Sequence, residues 1–413
     1  MDFFFADSLD MIDPSFDFES ETRNEWRVRQ QDDLYPHEVF SSGPYDGVLI
    51  SKSLVDGNAA RSGKYSLAQR QRIRRVGARK FARAKANLKM MGDCGAFSYV
   101  REEYPPFTPD EVIEFYESCG FDYGLSVDHI ILHFQSNQNP ELPGFDTNRS
   151  EWYSRQGITL ELAEQFFKLS VSNKVNFTPI GVAQGWSAQS YRSSLVSLQK
   201  MGYTRVALGG MVPLKTSAIL ETLEELDSVR NPDTQLHLLG VTRRDHLRKF
   251  QEHGVTSFDS TSPLRQAFMD DKDNFHTIDG TYQAIRVPQV DGHTVLQQQI
   301  RAGEIDQAKA RALEQKCLKA LREYDKDNMS LDDLINTLLE YESLHHPKAS
   351  NRDGYQRILE QKPWRLCDCS VCNNIGIEVI IFRGSERNKR RGFHNLWVFY
   401  NRLHKELGSP QAN

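Results

Sequence analysis

From about Asp46 to Asp259, short apolar runs alternate with helix-patterned stretches, which predicts an α/β chain built on a parallel sheet covered on both faces. The number of strand–helix units suits a closed (β/α)8 barrel with one or two irregular units. Two further observations complete the expected architecture. Cys367, Cys369 and Cys372 crowd together near the C-terminus, and a helix-patterned stretch occupies about 276–350. The expected organisation is an acidic extension over 1–45, the main part of the barrel over 46–275, a helical insert over 276–350, and a metal-binding module with a C-terminal helix over 351–413.

The extension begins "MDFFFADSLDMIDPSFDFES", with six acidic residues and no basic ones. Such a segment is expected to be disordered, to shield a cationic surface or to bind a partner. The barrel strands are expected at "GVLIS", "CGAFSYV", "YGLSVDHIIL", "FTPIGVA", "RVALGG", "LHLLGV" and "TSFDS". Helices are expected over 159–173, 187–201, 215–229 and 242–253; in the third of these Ile219, Leu220, Leu223 and Leu226 share a face. Chemistry in such barrels collects at the C-terminal ends of the strands. Those positions hold Asp93, Asp128, Gln184, Gly209, Gly210, Gly240 and Asp259. Any one of them alone reads as a strand end or a helix cap; together they place carboxylates, an amide and a Gly-Gly pair at one mouth.

The chain has 413 residues, 39% hydrophobic and 26% charged, with a net charge of −5. That balance gives no general attraction to nucleic acid, but the charge is uneven. The stretch 70–89 holds nine basic residues and no acidic ones, including Arg74, Arg75, Arg79 and Lys80. A second cationic run, with Arg383, Arg387, Lys389, Arg390 and Arg391, precedes His394. Both suit a polynucleotide backbone, against the plain alternative of solvated helix faces. No apolar run is long enough to span a bilayer, and the start has no secretory pattern, so a cytoplasmic location without membrane contact is expected.

In that compartment thiols stay reduced, so clustered cysteines read as metal ligands. Cys-x-Cys-x-x-Cys places three thiolates in one turn, and His394, 22 positions after Cys372, can supply the fourth ligand from a helix. Three sulfurs and a nitrogen fill a tetrahedral zinc shell with no open position, which makes the site structural. His404 is a weaker choice for the fourth ligand. The expected module is a thiolate knuckle, a strand at "IGIEVIIF", a basic loop and a helix carrying His394.

With these motifs in order, the chain resembles the tRNA-guanine transglycosylase superfamily over about 88–262 and again over 363–404. "GDCGAF" resembles the family's Asp-Ser-Gly-Gly-Phe motif, "IGVAQG" its Gly-x-x-Gln-Gly segment and "RVALGGM" its Ala-x-Gly-Gly-Leu segment. "LHLLGVT" and "GVTSFDS" are similar to the strand before, and the strand carrying, the nucleophile. The chain departs where Cys94 and Ala96 replace Ser and Gly, and where "DSTSPLRQAFMDDKDNF" follows the nucleophile strand. "DCGAF", "GLSVDHII" and the whole cysteine–histidine stretch look most like the branch that modifies DNA, the DpdA-type transglycosylases.

The resemblance implies exchange of guanine in DNA for a 7-deazaguanine base, 7-cyano-7-deazaguanine, with tRNA as the alternative substrate and an ATPase helper as a partner. It implies Asp259 as nucleophile and Asp93 as general acid/base. Guanine's N1–H and amino group suit a carboxylate at Asp128, and its O6 suits the Gln184 amide or the backbone at Gly209 and Gly210. Met211 is expected to cover a ring face, Cys94 to line the pocket, and Phe97 or Tyr99 to stack on the base, each against the alternative of core packing. A non-catalytic nucleic-acid-binding zinc protein is the competing reading of another class; the intact Asp93 and Asp259 argue against it.

Overall fold

The computed structural model describes residues 1–58, 62–136, 149–346 and 350–408. Eight parallel strands close into a barrel in sequence order: β1 (Asp2–Ala6), β2 (Gly47–Ser51), β3 (Lys89–Asp93), β4 (Tyr123–Leu125), β5 (Thr178–Ala183), β6 (Arg205–Leu208), β7 (Gln235–Leu238) and β8 (Val255–Asp259). The barrel class expected from the sequence is the one observed.

Three strand placements differ from expectation; one is the strand expected at "IGIEVIIF", which is a 3-10 helix over Gly376–Ile380 followed by the two-residue strand Ile381–Phe382. β1 lies within the stretch assigned to an extension. Its Phe3, Phe4 and Phe5 are buried, and it pairs with both β2 and β8, so the barrel opens at residue 2 rather than 46. The third strand is Lys89–Asp93 and not "CGAFSYV"; residues Ala96–Tyr99 instead form a 3-10 turn. Gly95 forces that turn. It has φ +86°, and a Cβ there would lie 1.8 Å from Ser53 Oγ, so only glycine fits.

The barrel interior is filled by Phe4, Leu49, Met91, Leu125, Ile180, Val182 and Ala207, all buried. Burying side chains such as Phe4, Leu49 or Ile180 contributes about 1.5–3 kcal/mol each. The outer helices follow the expected stretches: Arg149–Ser172, Ala188–Met201, Thr216–Asp227 and, shorter than expected, Leu247–Glu252. Ser187 caps the second of these by accepting from the Ser190 N–H.

The barrel belongs to a compact unit comprising 1–8 and 45–261; a second unit combines 9–44 with 262–405. In the second unit the insert forms the helices Thr294–Arg301, Gln307–Asp325 and Leu331–His345. The basic loop expected before His394 is not a loop. It is the start of one helix, Gly384–Leu407, which carries His394 in its middle. Among the described residues, no helix is long and apolar enough to cross a membrane.

Candidate active site and metal centre

Closure of the barrel brings the C-terminal ends of its strands to one mouth. Asp259 ends β8 and is 7% exposed. Its Oδ1 accepts the Gly240 N–H at 2.9 Å and faces His237 Nε2 at 3.3 Å. Asp93 ends β3, where Ser51 Oγ, at the end of β2, donates to its Oδ2 at 2.7 Å. Burial raises the Asp93 carboxyl above its usual range; the Ser51 hydroxyl and the Gly95 and Cys94 N–H groups pull it down, and the charge on Asp259 raises it again. A carboxyl that keeps its proton to higher pH is suited to proton transfer.

Asp128 lies just past β4 and is buried. Cys94 Sγ donates to its Oδ1 at 3.1 Å and Gln184 Nε2 to its Oδ2 at 2.7 Å. Burial first, and then the charge of Asp93, push it up to about 7. Burial also raises the Cys94 thiol well above its usual range, so it stays an S–H donor. Gln184 turns its amide toward Asp128, while its Oε1 accepts the Ile131 N–H at 3.2 Å. The glycine pair makes this possible. A Cβ on Gly209 would lie 2.1 Å from Gln184 Nε2, and one on Gly210 2.4 Å from the Ile131 carbonyl.

The barrel mouth therefore brings together Asp93, Cys94, Asp128, Gln184, Gly209, Gly210 and Asp259. Phe97 is 55% exposed beside Cys94's turn and is free to meet a ring. Met211 is fully buried, and so is Tyr99, whose hydroxyl lies 3.0 Å from Cys94 Sγ and 3.1 Å from the Asp128 carbonyl.

In the second unit, the ligand atoms of Cys367, Cys369, Cys372 and His394 lie within 4.8 Å of one another, a group that can hold a metal ion. His394 Nδ1 faces the three sulfurs at 3.6, 3.4 and 3.4 Å. Its Nε2 lies 2.6 Å from the His276 carbonyl, which holds the N–H on that side and leaves Nδ1 to bind. Phe275 stacks on the ring, centroids 4.3 Å apart. Sequence spacing alone left His404 open; His394 is the residue brought to the sulfurs.

No family model matches the chain. A curated protein of Salmonella montevideo described as a DNA-guanine transglycosylase is 52% identical over 412 residues, covering 98% of this chain and 97% of its own length. The chain belongs to the DNA-guanine transglycosylase family.

The expected phosphate-binding cations of this transglycosylase family member divide sharply. Arg387, Arg390 and Arg391 are buried, as is Arg383. Arg383 Nε donates to Glu21 at 2.6 Å and its Nη2 to Glu314 at 2.6 Å. Arg387 pairs with Glu378 at 2.7 Å and also with Glu21. Arg390 pairs with Glu386 at 2.7 Å and donates to the Asp13 carbonyl. Arg391 donates to the carbonyls of Ala267, Val379 and Ile381. Lys389 reaches the Met11 carbonyl at 2.9 Å. The expectation that this run presents charge to a polynucleotide is therefore corrected. A guanidinium leaves water only when its donors are satisfied, and the segment 9–44 supplies acceptors to Arg383, Arg387, Lys389 and Arg390 through Glu21 and the Phe18, Asp13 and Met11 carbonyls.

In the barrel unit, Arg74 grips Asp56 through two bonds of 2.9 Å. Arg79 pairs with Asp122 at 2.7 Å and donates to the Lys85 and Leu88 carbonyls. Asp122 and Leu88 immediately precede β4 and β3, so Arg79 braces the end of the barrel opposite the mouth. Arg75 and Lys80 are the exposed pair of this set.

Sequence reasoning missed His237, Ser51 and the β1 phenylalanines. His237 carried one signal: a lone imidazole in the apolar strand "QLHL", where a buried polar group needs a partner.

Proposed function

We propose that the protein is a DNA-guanine transglycosylase that replaces a guanine of DNA with a 7-deazaguanine base, 7-cyano-7-deazaguanine, by two displacements at C1′. The near full-length match to a protein of that description carries the choice of DNA. The three carboxylates at the barrel mouth support the chemistry.

The target guanine leaves the duplex stack to reach a mouth lined by Asp93, Asp128 and Asp259. Asp259 attacks C1′ as the C1′–N9 bond breaks, and a glycosyl ester forms. The departing guanine takes the Asp93 proton. The entering base gives its N9 proton back to the Asp93 carboxylate and attacks C1′, which expels Asp259. Two inversions retain configuration, as in retaining glycosidases. The base edge is read at Asp128, whose ionised form accepts from N1–H and the amino group. Phe97 is placed to meet the base face.

The metal centre suits zinc. Zinc–sulfur and zinc–nitrogen bonds of the usual length place the imidazole nitrogen about 3.6 Å from each sulfur, close to the separations seen at His394. Zinc there would have four protein ligands and would tie the knuckle to the helix Gly384–Leu407.

The test is mass spectrometry of nucleosides from DNA and from tRNA of cells with and without the gene. A 7-deazaguanine deoxynucleoside that disappears from DNA on deletion is the expected result. A change confined to tRNA would overturn the choice of DNA.

A further inference from the structure

Asp259 is not held by its own strand alone. Ser257 precedes it by two positions on β8, so both side chains point to the same face. On the neighbouring strand, the β7–β8 register sets His237 opposite Ser257. The result is a short buried chain: Ser257 Oγ lies 2.8 Å from His237 Nδ1, and His237 Nε2 lies 3.3 Å from Asp259 Oδ1. Phe4 of β1 meets the imidazole edge-on, centroids 5.9 Å apart, which restrains the ring from a third strand.

The tautomer follows from the partners. Oδ1 of a carboxylate only accepts, so Nε2 must carry a proton, and the Ser257 hydroxyl then donates to Nδ1. With the Gly240 N–H, two donors converge on Oδ1. No hydrogen-bond partner of Oδ2 occurs among the described residues.

We infer that His237 is a positioning residue that, with the Gly240 N–H, fixes Oδ1 of Asp259 and so makes Oδ2 the oxygen that attacks C1′. The inference rests on the displacement chemistry proposed above. When Oδ2 bonds to C1′, Oδ1 becomes the ester carbonyl oxygen and keeps both donors. When the entering base breaks the C1′–Oδ2 bond, the electron pair returns to the carboxylate, and the same donors stabilise the charge that reappears. Nothing is protonated or released at His237 in either step. Its contribution is orientation and preorganised stabilisation of developing charge.

The test compares His237→Asn with His237→Gln. Both amides are neutral, but the glutamine nitrogen reaches the place of Nε2, whereas asparagine reaches only that of Nδ1. Wild type and variants are mixed with guanine-containing duplex DNA and quenched in denaturant, and the covalent band is followed in single turnover at saturating DNA. DNA affinity is measured separately. Loss of one hydrogen bond to a charged group slows a step about tenfold to a hundredfold. His237→Asn should lose that much adduct-forming rate with its DNA affinity unchanged, and His237→Gln should recover most of it. Equal rates in wild type and His237→Asn would overturn the inference, as would equal losses in the two variants. A wild-type protein that forms no covalent band in any condition would instead overturn the displacement chemistry itself.

Discussion

Replacing Asp128 with Asn should stabilise the protein at neutral pH while removing its ability to read the base. Asp128 is buried, and burial followed by the charge of Asp93 raises it from 3.8 to about 7. Below about pH 4 the carboxyl is protonated whether the chain is folded or not, and it costs nothing. Between about pH 4 and 7 the unfolded chain ionises it and the folded chain does not, so folding stability falls as pH rises. Above pH 7 the penalty is complete. A rise from 3.8 to about 7 corresponds to about 4 kcal/mol. Asn keeps the shape and has no charge to desolvate, but it creates a local conflict. Gln184 Nε2 now donates toward a site that can itself be a donor, and flipping Gln184 would break its bond from the Ile131 N–H. Losing one such bond costs about 1 kcal/mol, which leaves a net gain of about 3 kcal/mol. Urea unfolding of both proteins from pH 4 to pH 8 measures this directly. Their free energies should diverge between pH 4 and 7 and run parallel above. A difference that stays constant across that range would refute the reasoning, because it would mean the carboxyl is ionised in the fold throughout.

Asp259→Asn should bind DNA yet give no covalent band, whereas Asp93→Asn should give a band slowly and exchange no base, a loss of about a hundredfold to ten-thousandfold; a wild-type band from Asp259→Asn would reverse the two roles. Cys369→Ser should lose bound metal from about one per chain, measured by metal analysis, and lower the unfolding temperature of the unit built from 262–405. Glu21 is raised by burial alone, but Arg383 and Arg387 hold it down at about 2. Its stabilisation is therefore present above about pH 4.5 and lost toward pH 2. Glu21→Gln should cost about 3 kcal/mol at pH 7, with the difference from wild type vanishing in acid-titrated denaturation curves.

What was legible in the sequence depended on how local the physics was. The metal cluster could be read because three of its ligands fall within six positions and the fourth sits at a helical spacing that offers few candidates. The strand-end residues of β5 and β6 could be read because the runs before them, TPIGVA and RVAL, are mostly apolar. β1 was hidden: its three phenylalanines are embedded in an acidic stretch, and pairing with β2 and β8 makes them a strand. β3 was displaced because "CGAFSYV" alternates like a strand, while the positive φ of Gly95 turns it. The cationic run before His394 misled for a different reason. A charge is visible in a sequence but its partner is not, and Glu21 lies 366 positions from Arg387. His237 escaped notice because its partner is set by the register of β7 against β8.

Barrel closure also constrains the order of events in the cell. Phe4 is in register with Asp259, so the first barrel strand made pairs with the last barrel strand made. β1 leaves the ribosome with β2 as its early neighbour and waits about 250 residues for the other, the long-range kind of pairing that folds slowly. Until then the ring has a gap where β8 belongs. Val255–Asp259 supplies in one stroke the closing strand, Ser257 and the Asp259 carboxylate at the mouth. A chain stalled before that point would lack all three, and its barrel would stay open between β7 and β1.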